Sequence, residues 1–164
     1  MTNNDVLRSL RYILNIPNSK VIEIINLGHS GATSISSGPA AAPVTVTDKE
    51  IETYLKKEDE PGYVECPHQV MAQFLNGMIL FKRGKSDDKP LRPLELPVTN
   101  NMTLKKIRVA FELKDDDILA LIKKNGLDVS KREFSAFFRK VGHRNYRECG
   151  DQFLRNMLRG MRES

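Results

Sequence analysis

The sequence has no tryptophan, two cysteines and three histidines. No apolar run approaches the ~20 residues that cross a bilayer, which excludes a membrane-spanning helix. Two cysteines are too few for a disulfide framework. His29, His68 and His143 are scattered and do not fall at structural-zinc spacing with Cys66 or Cys149, so no metal site is expected. No glycine-rich phosphate loop, hydrolase elbow or metal-binding helix motif is present, and neither a catalytic residue nor a cofactor is expected. The first residues, Met1-Thr-Asn-Asn-Asp5, lack the basic-then-apolar-then-small order of a secretory signal. The expectation is a reduced, cytoplasmic protein that does not engage membranes.

Against these absences stand 164 residues, 40% of them apolar, which is enough for a packed core and excludes wholesale disorder. The net charge of +5 is unevenly placed. Residues 1–100 hold 11 Lys and Arg against 12 Asp and Glu, whereas residues 101–164 hold 15 against 9. A basic half beside a near-neutral half favours an anionic partner and says nothing about fold.

The chain contains an internal repeat. Over Tyr63–Met78 and Tyr146–Met161, at a constant offset of 83, seven of sixteen positions are identical. They are Tyr63/Tyr146, Glu65/Glu148, Cys66/Cys149, Gln69/Gln152, Leu75/Leu158, Gly77/Gly160 and Met78/Met161. Duplication is settled before other features because it dictates the architecture. Earlier in the chain the offset is 97, with Leu7, Leu10 and Leu14 echoed by Leu104, Ile107 and Phe111. The change of offset defines a 14-residue insertion within 29–43, a charge-free stretch rich in Ser, Gly and Ala that reads as a loop.

Periodicity predicts four short helices per copy. The first spans about 5–14, with Asn4 as its cap and Pro17 as its stop. The second spans about 19–27, capped by Asn18 or Ser19 and ended by Gly28. Thr47 with Glu50, and Ser130 with Glu133, have capping-box spacing and open the third helix of each copy. Ile51, Tyr54 and Leu55, matched by Phe134, Phe137 and Phe138, form its buried face. Pro67 is placed at the first position of the fourth helix. The second copy restarts at Thr103. Asp115-Asp-Asp117 and Lys123-Lys124 suit the two ends of its second helix. The expected organisation is a first copy over 1–84, a Pro-rich linker over 85–100 and a second copy over 101–164. Pro90-Leu-Arg-Pro93 also has the spacing of a proline-rich ligand. One copy alone buries little surface, so the fold class is all-α: two homologous copies packed as a pseudo-twofold helical domain.

Each candidate for chemistry has a competing structural reading. Cys66 and Cys149 fall near the start of the fourth helix, where a thiol pKa can drop, but matched cysteines also serve as small buried packing residues. Glu65 and Glu148 form a carboxylate pair or cap the helix start. Tyr63 and Tyr146 are expected half-buried with the hydroxyl at the surface. Gly77 and Gly160, inside helices, point to close helix approach at a cost of about 1 kcal/mol each in helix propensity. Arg155, Arg159 and Arg162 form one stripe on the last helix where the first copy has Ala72, Asn76 and Ile79. Arg139, Lys140, Arg144 and Arg147, with His143, cluster in the preceding turn. These seven basic residues are candidates for nucleic-acid binding through phosphates, or form a solvated basic face. The turn Glu58-Asp-Glu60 is acidic where the second copy has Val141-Gly-His143, so opposed turns could pair between copies or between molecules.

Asn4-Asp-Val-Leu-Arg-Ser-Leu-Arg-Tyr12, Tyr54-Leu-Lys-Lys-Glu-Asp-Glu-Pro-Gly-Tyr63, Phe74-Leu-Asn-Gly77 with Lys82-Arg-Gly84, and Cys149-Gly-Asp-Gln-Phe-Leu-Arg-Asn156 carry a resemblance over nearly the whole chain. It resembles the YehS-like bacterial proteins of unknown function, small proteins built from a duplicated domain. The resemblance implies a bacterial cytosolic protein and brings no activity, cofactor or site residue. The usual first copy of that family lacks the segment 29–43. The sequence therefore reads as a non-enzymatic binding module for an unidentified protein or for itself, with nucleic-acid binding through the basic second copy as the alternative.

Overall fold

The computed structural model describes residues 1–29, 44–84 and 93–164. Among them all regular structure is helical, with no β-strand, and no helix is long and apolar enough to cross a membrane. The inserted segment from residue 30 to 43 lies outside the described residues, as do 85–92 of the Pro-rich stretch, including Pro90, Leu91 and Arg92. The chain forms two compact units, Met1–Val98 and Thr99–Ser164, each with four helices among the described residues.

The first unit holds α1 (Asn3–Leu14), α2 (Asn18–His29), α3 (Asp48–Tyr54) and α4 (His68–Arg83). The cap of α1 is Thr2 and not Asn4. Its hydroxyl accepts from the Asp5 N–H at 3.1 Å while the Asp5 carboxylate accepts from the Thr2 N–H, a full capping box. A hydroxyl two residues before the expected cap won because Asn4 is withdrawn into the interior. Gly28 does not end α2, which continues to His29. The glycine is there for packing: a Cβ on Gly28 would lie 1.7 Å from the Gln73 carbonyl oxygen, and one on Gly77 would lie 1.8 Å from the Ile24 carbonyl oxygen. The backbones of α2 and α4 thus touch, and Ile24, Ile25, Phe74 and Met78 close around the crossing. The Gln73 amide, fully buried, donates to the Ile25 and Val44 carbonyls and accepts from the Val44 N–H, tying residue 44 to this crossing. Pro67 is the cap residue of α4 rather than its first helical one. Residues 93–98 belong to this unit: Leu94 is buried, Asn76 donates to the Pro93 carbonyl, and the Val98 N–H donates to His68 Nδ1.

The second unit holds α5 (Asn100–Phe111), α6 (Asp115–Lys124), α7 (Lys131–Ala136) and α8 (Asp151–Arg162). It restarts earlier than Thr103, because Thr99 caps α5 by accepting from the Met102 N–H. α1 and α5 end alike: Asn15 and Glu112 both take the left-handed conformation at φ 53° and 54°, and the next residue bonds back to the carbonyl of Arg11 or Arg108. Thr47 with Glu50 forms both halves of its box, whereas Ser130 accepts from the Glu133 N–H and gives only the hydroxyl half. Both α7 and its cap are therefore less tightly started than α3.

The cores differ where the apolar code differs. Phe134, Phe137, Phe138 and Phe153 replace Ile51, Tyr54, Leu55 and Val70 and form an aromatic cluster, with edge-on pairs at 4.9 Å (Phe134–Phe138) and 5.0 Å (Phe137–Phe153). Arg108, which pairs with Asp115, lies 4.7 Å from the centre of the Phe138 ring. The α6–α8 crossing is looser than α2–α4. A Cβ on Gly160 would meet Leu121 Cβ at 3.1 Å and the Asn125 amide at 3.2 Å. Asn125 stands where the first unit has Gly28, and its side chain spans the wider gap, donating to the Leu121 and Asn156 carbonyls.

Candidate functional site

In each unit two consecutive asparagines at the start of the first helix grip the segment that leads into the fourth. Asn4 is wholly buried. Its amide nitrogen donates to the Tyr54 carbonyl at 3.0 Å and the Val64 carbonyl at 2.8 Å. Its oxygen accepts from the Cys66 N–H at 2.9 Å and from the Tyr63 hydroxyl at 3.2 Å. Asn101 repeats this: it donates to the Phe137 and Arg147 carbonyls at 3.0 and 2.8 Å and accepts from the Cys149 N–H at 2.9 Å. The neighbouring asparagines add a second stitch. Asn3 donates to the Cys66 carbonyl and Asn100 to the Cys149 carbonyl, at 3.1 and 3.0 Å. Asn3 also meets His68 Nδ1 at 3.3 Å, and Asn100 donates to Asp151 Oδ1 at 2.7 Å. The His68-to-Asp151 replacement therefore keeps an acceptor at the helix start. Sequence reasoning missed this clasp, although the Asn-Asn pair recurs at the offset of 97.

The cysteines sit inside the clasp, just before their helices, and are not helical themselves. Both are buried, and each Sγ lies 3.7 Å from the carbonyl oxygen of the following residue, Pro67 or Gly150, as a protonated thiol donor would. Burial pushes the Cys66 thiol from 9.0 up to about 12, with the Glu65 charge adding to it. Burial does the same to Cys149, also to about 12, helped by Asp151. The helix-start lowering of a thiol pKa is thus overridden by desolvation. A nucleophilic thiol is replaced by a packing residue. Native-state alkylation of either cysteine near neutral pH should be slow and should speed up by orders of magnitude once the chain is unfolded in urea. Linkage gives a second readout. The thiols ionise near 9.0 when unfolded and near 12 when folded, so their stabilising effect is complete below pH 9 and is lost as pH rises from 9 towards 12. Denaturant midpoints should fall across that interval, and a Cys66→Ala, Cys149→Ala double variant should show less of that fall.

Glu65 and Glu148 are exposed, and neither α4 nor α8 has a side-chain cap, so the expected capping role is not what holds them in place. Tyr63 is half-buried with its hydroxyl turned inward to Asn4, not outward; Tyr146 is half-buried. Gly77 and Gly160 both lie at helix crossings, the first much the tighter.

The basic residues are placed on the surface of the second unit. Arg155, Arg159 and Arg162 are exposed along α8, while Ala72, Asn76 and Ile79 at the matching positions of α4 are buried. Arg159 pairs with Glu163 at 3.1 Å, and Arg147 with Glu133 at 3.6 Å. Arg139, Lys140, Arg144 and His143 are exposed in the turn before α8. In the first unit Glu58, Asp59 and Glu60 are exposed in the matching turn. Among the described residues no group of three His, Cys, Asp or Glu is placed to hold a metal ion.

The family described as "Protein of unknown function (DUF1456)" matches residues 3–84 and again 100–164, the same two segments that carry the two sets of four helices. "Uncharacterized protein YehS" of Escherichia coli (strain K12) is 44% identical over 161 residues, covering 98% of this chain and 94% of the relative. No solved structure matches the chain. With the family matching twice, once over each helical copy, and a relative aligned nearly end to end, the chain belongs to the DUF1456 family of proteins of unknown function.

Proposed function

We propose that the chain is a non-catalytic association module that binds protein, whether a different partner or a second copy of itself. The observation that carries this reading is how the shared residues are used. Asn4/Asn101, Cys66/Cys149 and Gly77/Gly160 are each spent on holding their own unit together. The turn residues 58–60 and the arginine row on α8, in contrast, differ in charge from their counterparts in the other copy. The two shared thiols are buried and protonated at neutral pH, and the shared carboxylates of Glu65 and Glu148, though exposed, belong to no metal-holding group of His, Cys, Asp or Glu among the described residues. Copy-specific surfaces on a shared scaffold suit recognition. The test is recovery of cross-linked partners on the full chain from its native cells, together with its mass by sedimentation. A monomer that recovers no protein would overturn the reading.

A second reading, nucleic-acid binding, is favoured by the exposed arginine row on α8. Three phosphate contacts from Arg155, Arg159 and Arg162 would make binding fall about fortyfold between 50 and 200 mM salt. Retention on immobilised nucleic acid with that salt dependence, abolished by Arg155→Glu with Arg159→Glu, would establish it. No retention at low salt would remove it.

A further inference from the structure

The turn before the fourth helix has one frame and a different net charge in each copy. Three backbone hydrogen bonds recur in it. Glu60 N–H to the Lys57 carbonyl (3.0 Å) matches His143 N–H to the Lys140 carbonyl (2.9 Å). Tyr63 N–H to the Glu60 carbonyl (3.2 Å) matches Tyr146 N–H to the His143 carbonyl (2.9 Å). Val64 N–H to the Thr53 carbonyl (3.4 Å) matches Arg147 N–H to the Ala136 carbonyl (3.2 Å). The asparagine clasp then fixes both turns to their units at Val64 and Arg147. Lys56 and Lys57 stand where the second unit has Arg139 and Lys140, so the turns part in charge at 58–60 and at Arg144: the first unit displays Glu58, Asp59 and Glu60, and the second displays Arg139, Lys140 and Arg144, all six exposed. None of the six belongs to an ion pair among the described residues. Like charges crowded on a rigid turn repel one another, and an oppositely charged surface of similar shape relieves that repulsion.

We propose that copies of this chain associate head to tail, the acidic corner at 58–60 of one molecule docking on the basic corner at 139–144 of the next. This rests on the association reading above and names its partner. Because the two surfaces are different patches, the contact is heterologous and can propagate beyond a dimer. Exposed charge pairs are individually weak and screened by salt, so the association is salt-sensitive and sets orientation more than strength.

Sedimentation of the full chain at 50 and 500 mM salt tests it, with two charge-reversed variants. One carries Glu58→Lys, Asp59→Lys and Glu60→Lys; the other carries Arg139→Glu, Lys140→Glu and Arg144→Glu. The natural chain should show a mass that rises with concentration at low salt, with association at least about tenfold weaker at high salt. Each variant alone, now with two like corners, should sediment as a monomer. Mixed in equal amounts they should associate again, because one has two basic corners and the other two acidic ones. A mixture that stays monomeric overturns the proposal. Association that persists in both variants overturns the corner pairing and leaves the association reading to another surface. A natural chain that is monomeric, and whose retention on nucleic acid is lost on reversing 139, 140 and 144, overturns it and gives the basic corner to nucleic acid.

Discussion

Gly77→Ala should unfold the first unit's helix pairing at a cost upward of about 3 kcal/mol, while Gly160→Ala at the matching place should cost at most about 1 kcal/mol. Gly77 lies mid-helix and Gly160 in the last turn of α8, and both face the second helix of their unit, so helix propensity alone would predict a gain of up to about 1 kcal/mol for each. Packing reverses that sign steeply at Gly77 and by a small margin at most at Gly160. The added Cβ at Gly77 would sit 1.8 Å from the Ile24 carbonyl oxygen, which is backbone and cannot rotate away. The only escape is to part α2 from α4, which loosens Ile24, Ile25, Phe74 and Met78 together and pulls Gln73 off Val44. At Gly160 the nearest atoms are 3.1–3.2 Å away: the Asn125 amide is movable, and the Leu121 Cβ and carbonyl oxygen need give by only a few tenths of an ångström. Thermal unfolding followed by circular dichroism reads the difference. At about 4–8 °C per kcal/mol for a unit this size, Gly77→Ala should lower the midpoint of the first unit by more than about 12 °C. Equal shifts for the two variants would refute the backbone-contact account of the α2–α4 crossing.

The helical content of both copies was legible because apolar spacing carries it: Leu7, Leu10, Leu104 and Ile107 are buried as their period predicts. The repeat was legible because identity at a fixed offset needs no structural knowledge. The errors lay at helix ends, where one polar residue competes with another. Asn4 has the side chain of a good cap, yet Thr2 caps and Asn4 goes inside; only the position of Val64 and Cys66, some sixty residues away, decides this. Gly28 has the signature of a helix stop, yet a glycine also allows two backbones to touch, and which use applies depends on what lies opposite. Local rules cannot see across a tertiary contact.

The surface was legible in a different way. The charges of residues 58–60, 139–147 and the α8 row are read directly from the sequence, and tight turns and exposed helix faces keep them in solvent. What periodicity could not give was the recurring hydrogen-bond frame beneath the two corners, which is a backbone property shared by unlike side chains. The fate of the cysteines was equally hidden. A helix start favours a thiolate and burial disfavours it, and only the burial of Cys66 and Cys149 settles which effect is larger.

Asn4→Ala should be strongly damaging, at about 3–5 kcal/mol, and Asn101→Ala less so, at about 2–3 kcal/mol. Neither estimate comes from the hydrogen bonds themselves, whose net worth is near 1 kcal/mol each. It comes from what is stranded. Truncating Asn4 leaves the Tyr54 carbonyl and the Cys66 N–H unpaired in a buried place and the Val64 carbonyl unpaired in a part-buried one. Asn101 makes the same bonds from a half-buried position, so water replaces part of what is lost. Asn4→Asp separates the two halves of the amide. It keeps an oxygen for Cys66 but turns the donor into a second oxygen facing two carbonyls, so it should be no better than alanine despite its near-identical shape. Urea denaturation with hydrogen exchange at the Cys66 and Cys149 amides reads both stability and locality: protection at Cys66 should collapse in the Asn4 variants while Cys149 keeps its own. An Asn4→Asp variant as stable as the natural protein would show that the amide donor is not what binds α1 to the approach to α4, and the clasp would have to be replaced by the apolar contacts of Val6 and Leu7 as the cause of that junction.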